Sequence, residues 1–127
     1  MTGLSRYALW GSIFAFLAIA GGAFGAHALA PKLSATQASA FETGVRYQMY
    51  HAIALVSLPA LSTLAGTSIL AWAGRFFVVG TFAFSGSLYF LALSGIGLFG
   101  TVTPLGGLCF LAGWVMIALG VFKGPTS

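Results

Sequence analysis

The residues best suited to chemistry lie in one short stretch, residues 41–51. It holds the only acidic side chain of the chain, Glu42, together with Arg46 and His51. On a helix, Glu42 and Arg46 are four residues apart in the favourable acid-before-base order for an ion pair. We therefore predict a polar cluster in this region, with these members: His27, Glu42, Thr43, Arg46, Tyr47, Tyr50 and His51.

Two interpretations of this cluster are open. It can be an internal ion pair with hydrogen bonds that fix how helices dock, because unpaired charges near hydrocarbon are costly. It can also be a proton or ion relay, since ionisable residues within a membrane often mark such pathways.

The two histidines invite a separate comparison. If the segments before and after residue 31 form an antiparallel hairpin, His27 and His51 lie at similar depth. A pair of imidazoles on adjacent helices is what a bis-histidine haem or a copper site requires, but no third residue with metal-ligand spacing accompanies them. We expect hydrogen-bonded histidines, and neither a cofactor nor a metal.

The rest of the chain is predominantly apolar. Of its 127 residues 5% are charged and 59% hydrophobic, whereas about a quarter of a soluble domain is charged. A membrane-crossing helix needs about 20 apolar residues, so four of them nearly fill the chain. We predict an all-α integral membrane four-helix bundle, a single four-span transmembrane domain over residues 1–127, with spans at about 7–30, 47–64, 69–94 and 105–122.

The expected partner of such a chain is the lipid bilayer. Its few ionised side chains are spaced too widely for a nucleic-acid footprint, so we expect no nucleic-acid partner. The first apolar run, 7–30, is longer than the roughly 7–15 residues of a signal-peptide core and is followed by further apolar runs. It is therefore predicted to be a span.

Local signals mark where the helices begin and end. Pro31 stops the first helix, and residues 34–37, Ser-Ala-Thr-Gln, form a capping-box pattern that starts a new one. Its first turns, 35–46, are too polar to cross lipid and predict an interfacial helical segment before the second span. Thr103 is a candidate N-cap for the last helix, with Pro104 in its first turn.

Small and hydroxyl residues predict where helices pack closely. In lipid, small faces let backbones approach, and hydroxyls in apolar helices bond to neighbouring helices. The predicted helix-packing residues are Gly21, Gly22, Gly25, Ser85, Ser87, Tyr89, Gly106 and Gly113. A nucleophilic serine is not expected, because the chain contains no aspartate and the serines lack the flanking glycine motif.

The distribution of cations predicts an orientation. An even number of spans places both termini on one side, where Arg6, Arg75 and Lys123 outnumber Lys32 and Arg46 on the other. Because cytoplasmic loops carry the excess of Lys and Arg, we expect cytoplasmic termini.

Four motifs carry a resemblance to a known family. They are Gly-Ala-Phe-Gly-Ala-His at 22–27, the stretch 41–51, Ser-Gly-Ser-Leu-Tyr at 85–89 and Thr-Pro-Leu-Gly-Gly at 103–107. In this order they make almost the whole chain resemble the uncharacterised family of small four-helix membrane proteins that includes bacterial YgdD and YwdK. The resemblance implies a four-span inner-membrane protein without an accepted activity, substrate or cofactor. At 97–100, where members often carry Trp or a basic residue, this chain has Leu98 and Phe99.

Two functional hypotheses follow. The first is a multi-pass helix bundle organised by Glu42, Arg46 and His51, with a structural or partner-binding role in a homo-oligomer or a larger membrane complex. The second is a small proton, ion or solute transporter or channel component that uses the same cluster. An enzyme acting on lipid is the third and least favoured alternative, and no substrate is indicated.

Overall fold

Four helical rods make up the part of the chain that the computed structural model describes, residues 3–125. The first rod is α1 (Ser5–Phe24), continued by a π-helical turn (Gly25–Leu29) and a 3₁₀ turn (Ala30–Lys32), and the second is α2 (Ala35–Leu61). The third rod is α3 (Thr67–Gly80), a π-helical turn (Thr81–Ser85) and α4 (Gly86–Ser94). A 3₁₀ turn (Gly97–Thr101) leads to the fourth, α5 (Thr103–Lys123). Residues 3–125 contain no β-strand, so the predicted all-α class is confirmed.

The start of α2 follows from its capping box. The Ser34 hydroxyl accepts a 3.1 Å hydrogen bond from the backbone N–H of Gln37, and the Gln37 side chain accepts one of 3.1 Å from the backbone N–H of Ser34. Both donors would otherwise be unsatisfied at a helix start. The polar turns 35–46 are therefore the first part of one continuous helix, α2.

The rods run alternately up and down. Leu4, Pro59 and Thr67 line one cavity, which places the start of α1, the end of α2 and the start of α3 at the same end of the bundle. Trp72 and Lys123 line another cavity there, which adds the end of α5. We call this the terminal end, and the end that holds the 33–34 and 95–102 connections the loop end.

Close helix contacts are made by aromatic rings seated on glycines. A Cβ added to Gly74 would lie 2.7 Å from the Tyr7 ring, and one added to Gly80 would lie 2.7 Å from the Phe110 ring. Such contacts between an aromatic ring and a helix backbone need a residue without a side chain. The same arrangement joins Gly25 to Phe41, Gly44 to Tyr89 and Gly113 to Phe77.

Three rods are long and apolar enough to cross a membrane: Ser5–Lys32, Thr67–Ser94 and Gly97–Lys123. They contain the spans predicted at 7–30, 69–94 and 105–122. The span predicted at 47–64 lies in α2, which is not among them. Polar side chains explain the difference, because α2 carries Glu42, Arg46, Gln48 and His51.

One local prediction is wrong. Thr103 was expected to cap the last helix, but Val102 occupies the N-cap position and no side chain caps α5. The Thr103 hydroxyl instead lies 2.6 Å from the hydroxyl of Ser87 on α4. The Thr103 hydroxyl thus forms a contact between two rods and does not act as the helix cap that the local sequence pattern had predicted.

Candidate functional site

The Glu42–Arg46 ion pair forms on the outside of the bundle. Nη2 of Arg46 lies 2.9 Å from Oε1 of Glu42 along one helical turn of α2. The Arg46 side chain is 49% exposed and the Glu42 side chain 72% exposed. The pair is therefore a surface feature near the loop end and does not join α2 to another rod.

The inner face of α2 carries a different polar residue, Gln48. Its side chain is buried and its Nε2 donates a 2.8 Å hydrogen bond to the backbone carbonyl of Phe14 in α1. Its Oε1 accepts a 2.6 Å hydrogen bond from the Tyr89 hydroxyl in α4. The side-chain amide of Gln48 thus links the first three rods, because its N–H bonds to the first rod and its oxygen bonds to the third.

A second hydrogen bond reinforces the contact between α2 and the third rod. The Ser85 hydroxyl donates a 2.7 Å hydrogen bond to the backbone carbonyl of Gly44, which lies one turn before Gln48. The Tyr89 ring covers Gly44 itself, with 2.8 Å between Cε1 and an added Cβ. Because Gly44 has no side chain, the ring can approach the helix backbone, and this brings the Tyr89 hydroxyl within reach of Gln48.

His51 occupies an aromatic site between α2, α3 and α5. Its Nδ1 lies 2.8 Å from the carbonyl oxygen of Tyr47, and its Nε2 lies 3.0 Å from the indole nitrogen of Trp114. Because a carbonyl only accepts and an indole N–H only donates, these partners assign the neutral ring with its hydrogen on Nδ1. The ring also stacks on Phe110 with centroids 3.6 Å apart.

The two histidines do not form the pair considered from the sequence. Both ring nitrogens of His51 are engaged, and its ring is enclosed by Phe77, Phe110 and Trp114. His27 is exposed in the π-helical turn after α1. Within residues 3–125, no group of three or more His, Cys, Asp or Glu residues is placed to hold a metal ion.

Two tyrosines continue the outer surface of α2. Tyr47 and Tyr50 line a groove of about 600 Å³ between α2 and α5. Tyr50 is 51% exposed and Tyr47 37% exposed, and neither hydroxyl has a hydrogen-bond partner among the described residues. Thr43, the remaining member of the predicted cluster, is half-buried. We call Glu42, Arg46, Tyr47 and Tyr50 the outer face of α2.

The predicted cluster is thus divided between several surroundings. The outer face of α2 holds four members, the aromatic site holds His51, and His27 stands apart on the first rod. The cavity at Glu42 is lined by the first rod and the beginning of α2, whereas His51 lines the groove that also holds Tyr47 and Tyr50.

Most of the predicted packing residues lie at contacts between rods. Gly25 lies under Phe41, Gly113 under Phe77, and Gly106 against the backbone of Phe84. An added Cβ on Gly22 would lie 3.3 Å from Val45. Gly21 is different, because an added Cβ would meet nothing within 4 Å.

Sequence reasoning missed Gln48 and the role of Trp114. Gln48 lies within the predicted span 47–64, and an amide inside a membrane span was the signal that could have identified it. Trp114 lies far from His51 in sequence, and only the rotation of α5 about its axis aligns the two.

Comparisons with known proteins match the chain to one family. Residues 21–107 match the family model described as protein of unknown function (DUF423). A UPF0382 membrane protein of Staphylococcus haemolyticus is 41% identical over 120 residues, which cover 94% of this chain and 98% of the relative. The inner membrane protein YgdD of Escherichia coli K12 is 39% identical over 120 residues, covering 94% of this chain and 92% of the relative. No solved structure matches the chain significantly.

Proposed function

Since the chain belongs to the family of membrane proteins of unknown function described as DUF423, we propose that it acts by binding another polypeptide in the inner membrane. The observation that carries this proposal is the outer face of α2. Its polar side chains are exposed on a rod whose three neighbours are apolar enough to cross a membrane. A polypeptide that covers this face supplies partners for groups that acyl chains cannot satisfy.

The arrangement of charge supports the same conclusion. All six ionised side chains are exposed, namely Arg6, Lys32, Glu42, Arg46, Arg75 and Lys123. Among the described residues, no buried side-chain nitrogen or oxygen lacks a hydrogen-bond partner. The inner polar groups therefore serve to hold the rods together, and the groups available for recognition lie outside.

This proposal includes the topology of the chain. In it α2 is the second of four membrane crossings, because it runs the length of the bundle between α1 and the third rod. The termini face the cytoplasm, because Arg6, Arg75 and Lys123 lie towards the terminal end while Lys32 and Arg46 lie towards the loop end. The outer face of α2 then begins at the non-cytoplasmic surface of the inner membrane. It extends into the hydrocarbon layer as far as Tyr50.

The transport alternative requires His27, Glu42, Arg46 and His51 to share one water-accessible path. The cavity that includes Glu42 and the cavity that includes His51 have no lining residue in common. The Nε2 lone pair of His51 is engaged by Trp114. We therefore favour binding over transport.

Photo-crosslinking tests the proposal. A photoreactive phenylalanine analogue replaces Tyr50, and the protein is irradiated in its native membrane. We expect a crosslinked polypeptide product, with a mass increase equal to this chain for a homo-oligomer or a different increase for another subunit.

The control places the same analogue at Phe16. This residue is 72% exposed on α1, away from the outer face of α2, and is expected to crosslink to lipid only. Lipid adducts alone at both positions would contradict the proposal.

A further inference from the structure

A cleft separates the first rod from the third over the half of the bundle towards the loop end. Its volume is about 470 Å³, with walls from Phe14 to Leu29 on the first rod and from Thr81 to Leu93 on the third. The cleft is closed at its end farthest from the loop end of the bundle. There the rings of Phe14 and Phe82 meet edge to face, with centroids 5.5 Å apart. Beyond them the rods diverge, and α2 forms the floor.

Two glycines face this cleft without a packing partner. Among the glycines inside α1 to α5, Gly21 and Gly86 are the ones at which an added Cβ would meet nothing within 4 Å. They line opposite walls. Glycine is a poor helix former, and most other glycines of these helices lie against a neighbour that leaves no room for a Cβ. Gly21 and Gly86 instead leave open space on the two walls of the cleft.

The shape of the cleft selects a narrow occupant. From Phe14 to Leu29 the first rod rises roughly 22 Å, so the cleft of about 470 Å³ is long and narrow. An extended alkyl chain has this shape. A helix about 10 Å wide occupies roughly 1,700 Å³ over the same length, so the cleft has too little space to enclose one.

The chemistry of the lining agrees with a hydrocarbon chain. The polar residues of the lining are Gln48, Thr81 and Tyr89, and each side chain is already bonded within the protein. Gln48 is 5% exposed and uses one of the two N–H donors of its amide for Phe14, so it presents a single spare donor to the cleft.

The first rod carries a cation just beyond the last residue that lines the cleft. Lys32 is exposed, lies about one turn beyond Leu29, and forms no ion pair among the described residues. A lysine at a membrane edge attracts anionic headgroups. From these observations we propose that the cleft holds one acyl chain of an anionic phospholipid, with the phosphate beside Lys32. This site is independent of the outer face of α2.

Lipid photolabelling tests this site. The wild-type protein is placed in bilayers that contain phosphatidylglycerol with a photoactivatable group in one acyl chain, and labelled residues are located by mass spectrometry. We expect the label to concentrate on Phe82 and Leu93. Even labelling of cleft residues and of outward residues such as Phe122, which is 89% exposed, would overturn the proposal.

Two variants of α1 test the site as a matched pair, one with a side chain added inside the cleft and one with the same side chain added outside it. Gly21→Leu places a side chain in the cleft and is expected to lose the concentrated labelling, whereas Ala20→Leu adds bulk on the exposed side of α1 and is expected to keep it. Gly86→Leu makes the same test from the opposite wall if Gly21→Leu does not fold. Unchanged labelling of a folded, filled variant would overturn the site.

The headgroup is tested separately. Lys32→Gln is expected to abolish the preference for labelled phosphatidylglycerol over labelled phosphatidylcholine while leaving the labelled residues the same. An unchanged preference would refute the role of Lys32. A crosslink between two copies through the cleft walls would refute the lipid as the occupant.

Discussion

The hydroxyl of Tyr89 donates a 2.6 Å hydrogen bond to Oε1 of Gln48, and this contact joins two rods near the middle of the bundle. Because the Gln48 amide also bonds the Phe14 carbonyl, the rotation of α2 is fixed against α1 and α4 at once. The residues of α2 that point away from this contact form its outer face. One buried amide thereby decides which side chains remain available to a partner.

Substitution of Gln48 is expected to weaken the bundle. Gln48→Leu removes two contacts between rods and leaves the Tyr89 hydroxyl without its acceptor, so the free energy of unfolding in detergent should fall by about 1–2 kcal/mol. Tyr89→Phe should cost about 1 kcal/mol, and the double variant less than the sum of the two. Tyr50→Phe is the control, because no residue among 3–125 forms a hydrogen bond with the Tyr50 hydroxyl. Additive costs at Gln48 and Tyr89 would show that the two side chains are not coupled.

The hydrogen bond between Trp114 and His51 can be monitored by nuclear magnetic resonance, through the chemical shift of the indole N–H proton. His51→Leu removes the acceptor of the Trp114 indole, so the proton signal of that N–H should shift upfield. Trp10 and Trp72, the other two tryptophans of the chain, provide internal references whose signals should stay in place. A Trp114 signal that does not move would show that its indole bonds elsewhere.

Adding one methyl group should separate the covered glycines from the uncovered ones. In Gly113→Ala the new Cβ would lie 2.7 Å from Cδ1 of Phe77, whose side chain is fully buried. We expect a loss of about 1–3 kcal/mol in unfolding free energy. In Gly107→Ala, on the same helix, the new Cβ would lie 3.9 Å from Phe84, an ordinary contact. Thermal unfolding should show the second variant at least as stable as the wild type, and equal losses would contradict the packing described.

The ion pair on the outer face is expected to contribute little to folding. Both partners are largely exposed, so Glu42→Gln and Arg46→Met should each lower the unfolding free energy by about 0.2–1 kcal/mol, comparable amounts. The double variant should cost less than the sum, because either single change already breaks the pair. High salt should weaken the effect. Strictly additive losses would mean that the pair carries no coupling.

Much of the fold could be predicted from the sequence, because composition and capping are local properties. The apolar runs gave the first, third and fourth rods, and Ser34 with Gln37 gave the start of α2 to the residue. The hydroxyls of Ser85 and Tyr89 could be predicted to lie at contacts between rods, because hydroxyls in apolar helices often bond to neighbouring helices.

The partners of these groups could not be predicted in the same way. Whether Tyr89 meets Gln48, or Trp114 meets His51, depends on how each rod is rotated about its axis. Several similar rotations bury comparable apolar area, so the hydrophobic pattern does not choose between them. For the same reason the pattern could not show that Glu42 and Arg46 face outwards while Gln48 faces inwards.

The most direct test of the account is the mass of the complex released gently from native membranes. We predict that the wild-type chain, of 13.1 kDa, emerges in a larger assembly, and that Tyr50→Leu combined with Arg46→Leu releases it as a folded monomer whose unfolding free energy falls by no more than about 1 kcal/mol. A wild-type protein that emerges as the monomer, or a variant that keeps the full assembly, would contradict the claim that the outer face of α2 binds a partner.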